Sequence, residues 1–208
     1  MINVSCSKLE FVRQNPIAFA QQMAANKNSG GGNFGMFQCW QSKAKALHTY
    51  EMDLQTAIKS LQQRFMKYDE NLNNKRKQEF LLDRLSPYWE EIKSKDFKYL
   101  SSQKRISWPI LKNVSLTGNT PMTLSHSNGF IAYFYTENPI SWQQELRFPL
   151  LQYYLAKNIC NCSFDDLKIG VYCLKNLSFD LKLFTQTEIE NSILEAEQIF
   201  KLVNENYK

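Results

Sequence analysis

Over roughly the first hundred positions, apolar residues recur at the three- and four-residue spacing of amphipathic helices. Leu9, Val12, Ile17, Phe19, Ala20 and Met23 share one face of a stretch from 7 to about 25, with Pro16 inside it. NKNSGGGNFG, over 26–35, breaks the pattern as a flexible loop. From about 36 to 70, Phe37, Trp40, Ala44, Leu47, Leu54, Ile58, Leu61 and Phe65 make the stripe of one long helix, which ENLNNK stops. Phe80, Leu81, Leu85, Tyr88, Trp89 and Ile92 predict a further helix over 75–94, disturbed at Pro87.

Near 105 the pattern changes to short β-branched or aromatic runs punctuated by Gly, Pro and Asn. RISWPIL, NVSLTG, PMTLSH and GFIAYFYT read as strands, with Asn128-Gly129 a hairpin signal. Ser141 with Gln144 makes a capping-box pattern that opens a helix to about Ile159. LKIGVYCL and DLKLFT are strand-like. From Thr185, capped by Glu188, an amphipathic helix runs through Ile189, Ile193, Ala196, Ile199, Phe200 and Val203. The order is helices, a three-strand meander, a helix, one or two strands and a helix. It predicts an α/β protein of the α+β kind, a mixed β-sheet with meander flanked by helices. One domain covers 1–208, with 1–100 mainly helical and 101–208 carrying the sheet.

Composition narrows the class. A chain of 208 residues buries a sizeable core. No apolar run approaches the roughly 20 residues of a membrane span, and no basic and apolar leader opens the chain, so neither membrane nor export is expected. Five cysteines, at 6, 39, 160, 162 and 173, make no disulfide framework, and a reducing cytoplasm is the expectation. The net charge of +5 suits a nucleic-acid partner but is shared by many proteins without one.

Familiar catalytic patterns are missing. His48 and His126 have no His, Cys or carboxylate at ligand spacing, so no zinc site is expected. Cys160 and Cys162, in CNC, lack the second pair of a soft-metal site and read as buried or half-exposed thiols. There is no Gly-x-Ser-x-Gly elbow, and SGGGNFG lacks the Gly-Lys-Ser/Thr ending of a phosphate loop. No cofactor is expected.

Against that background, short stretches along nearly the whole chain resemble the RecB-like branch of the PD-(D/E)XK nuclease superfamily. VSCSKLEFVRQNPIAF is similar to its opening helix, Ser-x-Ser-x-Leu followed by Cys-Pro: Ser5, Ser7, Leu9 and Pro16 match, with Asn15 in place of the cysteine. GMFQCW resembles Gly-Thr-x-x-His, with Gly35 matching and Cys39 in place of the histidine. VSLTGNTP resembles the strand ending Gly-x-x-Asp; Gly118 matches and Pro121 replaces the aspartate. GFIAYFYTEN resembles the strand carrying Asp/Glu-x-Lys-Thr. Thr136 matches, while Tyr133 and Tyr135 replace the acid and the lysine. ELRFPLLQYYLAK resembles Gln-x-Pro-Leu-Tyr: Pro149 and Leu150 match, Arg147 replaces the glutamine and Leu151 the tyrosine.

The resemblance implies a restriction-endonuclease-like core whose framework positions persist while its chemical positions are gone. Such nucleases need carboxylates to hold Mg²⁺ or Mn²⁺ at the phosphate and a lysine to orient or activate water. Phenols, neutral at pH 7, and proline supply neither. The implication is a pseudo-nuclease, with no metal and no catalytic residue at Cys39, Pro121, Tyr133, Tyr135 or Arg147. An active site in shifted register would have to recruit Glu137 or Glu145, neither of which has a second acid and lysine in frame.

Two roles suit such a fold. One is a DNA- or RNA-binding accessory subunit of a DNA-processing or defence complex. Lys93, Lys95, Lys98, Lys104, Arg105 and Lys112, interleaved with Tyr99 and Trp108, would meet phosphates and stack on unpaired bases. Lys75, Arg76 and Lys77 would form a second basic knot, and Arg147 would touch a phosphate beside the former site. Glu90, Glu91 and Asp96 dilute the first cluster. The other role is a protein-interaction module, as structural subunit, inhibitor or adaptor in a larger complex. The 13% aromatic content and the 36–70 helix with Trp40 and Phe65 would supply its surface, though the core is the commoner place for any one such residue.

Overall fold

The computed structural model describes residues 1–25 and 35–207. The loop expected over 26–35 therefore lies, Gly35 apart, outside the described residues. The N-terminal stretch is not one helix. Ile2–Ser5 form β1, with Ile2 and Val4 buried and Asn3 exposed. After a turn at Cys6–Lys8 come α1 (Leu9–Gln14) and α2 (Pro16–Ala25), divided where Pro16 disfavours helical geometry at Asn15. Leu9, Val12, Phe19 and Ala20 are buried, but Ile17, beyond the break, is left 46% exposed.

The helix expected over 36–70 is likewise two, α3 (Met36–His48) and α4 (Leu54–Phe65). Tyr50 between them takes a left-handed φ of 56°. Asp53 then caps α4, its carboxylate accepting the Thr56 N–H at 2.8 Å and the Thr56 O–H at 2.9 Å. The hairpin turns Trp40, Ala44 and Leu47 of one helix and Ala57, Leu61 and Phe65 of the other into a single core. α5 (Leu72–Ser94) starts earlier than its apolar pattern because Asn71 accepts the Asn74 N–H, and it runs through Pro87.

Next, two long strands form one bent antiparallel ribbon. β2 (Lys98–Ser101) and β3 (Arg105–Leu111) are its first arm, β4 (Val114–Asn119) and β5 (Met122–His126) its second. At the bend the Gln103 N–H donates to Thr120 O at 3.0 Å and the Thr120 N–H to Lys104 O at 2.8 Å. Pro121, with no N–H to donate, sits at this bend. The bend divides the pairing into a sheet of order β1-β4-β3 and one that begins β2-β5. β1 runs parallel to β4. β6 (Gly129–Thr136) completes the meander antiparallel to β5. The chain crosses through α6 (Arg147–Leu155) to β7 (Leu167–Cys173), parallel to β6; β8 (Ser178–Lys182) folds back antiparallel and α7 (Gln186–Asn206) closes the chain. The mixed α/β architecture is thus present.

α6 starts at Arg147, not at Ser141. Tertiary bonds override the local capping pattern. The Trp142 indole N–H donates to Asp180 at 2.6 Å, Arg13 donates to the Gln144 carbonyl at 3.0 Å, and the Glu10 carboxylate accepts the Leu146 N–H at 2.6 Å. The cap at Thr185 forms as expected, with Glu188 accepting the Thr185 N–H at 2.8 Å.

Side chains alternate across the sheet. Ala132, Ile169 and Val171 join a core with α1, α2, α6 and α7, whereas Ile131, Tyr133 and Tyr172 join a second core with α3, α4 and α5. The five-stranded sheet β2-β5-β6-β7-β8 lies between two helical layers. Among the described residues no helix is long and apolar enough to cross a membrane.

Candidate functional site

Tyr133 and Tyr135, two residues apart on β6, share the face turned toward α3 and α5. Tyr133 is fully buried; Tyr135 is half-buried, its hydroxyl turned inward. Both hydroxyls hydrogen-bond to that of Tyr88 on α5, at 2.8 and 2.7 Å. Tyr88 in turn lies 2.5 Å from Nε2 of His48, buried at the end of α3. Burial pushes the His48 pKa down to about 4, so the ring is neutral near pH 7 and Nε2 is able to accept. One arrangement uses every site on the Tyr88 oxygen: its O–H donates to His48, and it accepts from Tyr133 and Tyr135. Burial, then the neighbouring phenols, raises the pKa of Tyr88 and Tyr133 well above the ordinary value, and burial raises that of Tyr135. The cluster is uncharged. Trp40 closes it edge-on, 5.3 Å from Tyr88 and 5.2 Å from Tyr135 between ring centroids.

Beside these rings a cleft of about 190 Å³ opens between α3 and the bend of the ribbon. Gln41 and Lys45 form the α3 wall; Pro121, Tyr133 and Tyr135 stand opposite. The fold thus gathers three of the positions at which the resemblance places metal-site residues. Among the described residues no Asp or Glu lines the cleft. A divalent cation of the Mg²⁺ type requires hard anionic oxygens, and neutral phenols, a proline ring and an ammonium do not fit one. Nor do three His, Cys, Asp or Glu side chains converge elsewhere among the described residues.

No protein-family model and no curated protein matches this chain.

Two of the positions named from sequence are not brought to the cleft. Cys39 is about 200° around α3 from Gln41, and its Sγ lies 3.6 Å from the Tyr68 hydroxyl on the α4 side. Arg147 is on the opposite face of the sheet. Its guanidinium rests over Phe134 and Phe148, 5.2 and 4.8 Å from the ring centroids, and its Nε is 2.7 Å from Glu145. Phe134 alternates with Tyr133 and Tyr135, so the β6 backbone separates Arg147 from the tyrosines. Glu137 and Glu145 are also held apart. Glu137 pairs with Lys77 of α5 at 2.9 Å, while Glu145 serves Arg147 across the sheet.

The basic residues named from sequence disperse. Lys93 and Lys95 pair with Glu90 and Glu91 at 2.9 and 2.7 Å. Lys98 opens β2, Lys104 and Arg105 sit at the bend, and Lys112 lies at the β3–β4 turn, so these four mark successive points along the ribbon. Arg105 faces solvent, but Trp108, of opposite parity on β3, turns inward and stacks on Tyr153 with centroids 5.8 Å apart. It is not interleaved with the basic side chains. Lys75 and Arg76 are exposed in the first turns of α5, and Lys77 is taken by Glu137.

Two lysines that the sequence reading passes over hold better-defined places. Lys45 lines the cleft, and Lys43, about 200° around the same helix, lines a groove on the other flank with Arg64 and Lys67. Their spacing is a sequence signal, but it acquires meaning only when the break at 49–53 folds α3 against α4.

Proposed function

We propose that this protein is a non-catalytic counterpart of the RecB-like PD-(D/E)XK nucleases, binding nucleic acid without cutting it as an accessory subunit of a DNA-processing or defence complex. One observation carries the reading: the cleft at the end of β6 is walled by Tyr133, Tyr135 and Pro121 and by no carboxylate among the described residues. The connectivity supports a restriction-endonuclease-like core, since the β5–β6 hairpin leads through α6 to β7, parallel to β6. A net charge of +5, with lysines on both flanks of α3, suits a polyanion.

The test is binding to single- and double-stranded DNA and RNA across about 50 to 200 mM salt, with cleavage followed in Mg²⁺ and Mn²⁺. The expected outcome is steeply salt-dependent binding with the polymer left intact. Metal-dependent cleavage lost on changing Glu137 and Glu145 would overturn the non-catalytic reading. Absence of binding at low salt would overturn the nucleic-acid reading in favour of a protein-interaction module, for which Met66 and Leu72, 83% and 64% exposed beside the α4–α5 turn, offer a surface.

A further inference from the structure

The hairpin that replaces the expected long helix creates a feature of its own. Between α3 and α4 runs a groove of about 500 Å³, larger than the cleft of about 190 Å³ beside the tyrosines. α3 contributes Cys39, Ser42 and Lys43; from the α4 side come Ser60, Gln63, Arg64 and, past the helix end, Lys67. These positions repeat at three and four residues on each side, so one polar stripe from each helix faces the other across the groove. The apolar stripes lie on the inner side, in the core.

Charge in the groove is one-sided. Lys43, Arg64 and Lys67 line it, no Asp or Glu does, and none of the three cations is in an ion pair among the described residues. Six other cations, Arg13, Lys77, Lys93, Lys95, Arg147 and Lys182, have carboxylate partners, while exposed ones such as Lys75 and Arg76 are unpaired too among the described residues. The groove differs in gathering three on the facing walls of one depression. Lys43 is moreover half-buried. A concave wall of one sign focuses its field on whatever enters it. Around the cations, the Ser42 and Ser60 hydroxyls and the Gln63 amide supply neutral donors. Cations together with hydroxyl and amide donors are the groups that hold phosphodiester oxygens.

We infer that the α3–α4 groove binds the phosphate backbone of single-stranded nucleic acid. The inference rests on the nucleic-acid reading above and gives it a location. The groove follows the seam of two packed helices, with Lys43 on one wall and Arg64 and Lys67 on the other, so one extended backbone lying along the seam meets cations on both sides with its bases directed outward. A duplex presents two backbones around a stacked interior and would touch only the rims.

The experiment measures binding of a labelled oligothymidylate, and of a duplex, to the full chain across a salt series. Three proteins are compared: wild type, a groove variant (Lys43→Gln, Arg64→Gln, Lys67→Gln) and a ribbon variant (Lys98→Gln, Lys104→Gln, Arg105→Gln, Lys112→Gln). Thermal unfolding checks that each variant folds. In the groove variant, loss of three contacts should make the log–log salt slope shallower by about 2 and weaken single-strand binding about a hundred-fold near 0.1 M salt. The ribbon variant should bind within a few-fold of wild type. Undiminished binding by the groove variant, loss confined to the ribbon variant, or preference for the duplex would each overturn the groove while leaving nucleic-acid binding in place. Failure of the wild type to bind either probe at low salt would remove both.

Discussion

At Tyr88 a single buried oxygen serves three partners, His48, Tyr133 and Tyr135. Removing it takes a partner from three polar groups at once, and each buried group left unsatisfied costs about 1–3 kcal/mol. Tyr88→Phe is therefore expected to lower stability by about 3 kcal/mol in urea or thermal unfolding. Tyr135→Phe removes one bond at a half-buried position and should cost about 1 kcal/mol. Equal losses from the two variants would mean that the oxygen of Tyr88 is not the hub. The same residues show what sequence could reach. Tyr133, Tyr135 and Pro121 are singled out by motif and do meet in one cleft. Tyr88 and His48 carry no motif, because their role arises from two helices and a strand distant in the chain.

At the scale of elements, local signals succeed where nothing competes with them. The strands from 105 to 136 announce themselves by short β-branched and aromatic runs and by Asn128-Gly129, and α7 by Thr185 and Glu188. Apolar periodicity, however, runs straight across a break: Leu47 and Leu54 keep helical phase although Tyr50 and Asp53 end one helix and start another. At α6 the local pattern loses to long-range bonds, and Gln152 illustrates their strength. Its amide is buried, donating to the carbonyls of Phe164 and Phe184 at 3.1 and 3.0 Å and accepting the Phe184 N–H at 2.9 Å. These bonds fasten the crossover helix to the connection between β8 and α7. Gln152→Leu keeps the approximate volume but leaves three backbone groups without partners, for an expected loss of about 3 kcal/mol. A loss under 1 kcal/mol in denaturant titration would show that those groups find other partners.

Across the whole molecule, the two cores divide the titratable groups unequally. His48, Tyr88, Tyr133 and Tyr172 belong to the α3–α5 side, with Tyr135 packed against it. All are neutral at pH 7, and each resists becoming charged. On the acid side the unfolded chain takes up a proton near the ordinary histidine value of 6.5, whereas folded His48 refuses it until about 4. Its contribution is therefore present above pH 6.5 and lost as the pH falls toward 4, with a ceiling of about 3 kcal/mol. Asp53 and Glu188, whose carboxyls are held low by capping and ion-pair partners, add their loss only below the ordinary carboxyl range. On the alkaline side the sign reverses. Burial raises Cys6 and Cys160 from 9.0 to about 12 and raises the four tyrosines above 10, so the unfolded chain ionises first. Stability then declines from about pH 9 upward. Urea midpoints measured from pH 4 to 11 should trace a plateau between about 6.5 and 9 with a fall on each side. His48→Gln retains an acceptor for Tyr88 without a titrating ring, and should flatten the acid limb between 6.5 and 4 while leaving the alkaline limb unchanged. An acid limb of unchanged slope in that variant would show that His48 does not carry the loss between pH 6.5 and 4.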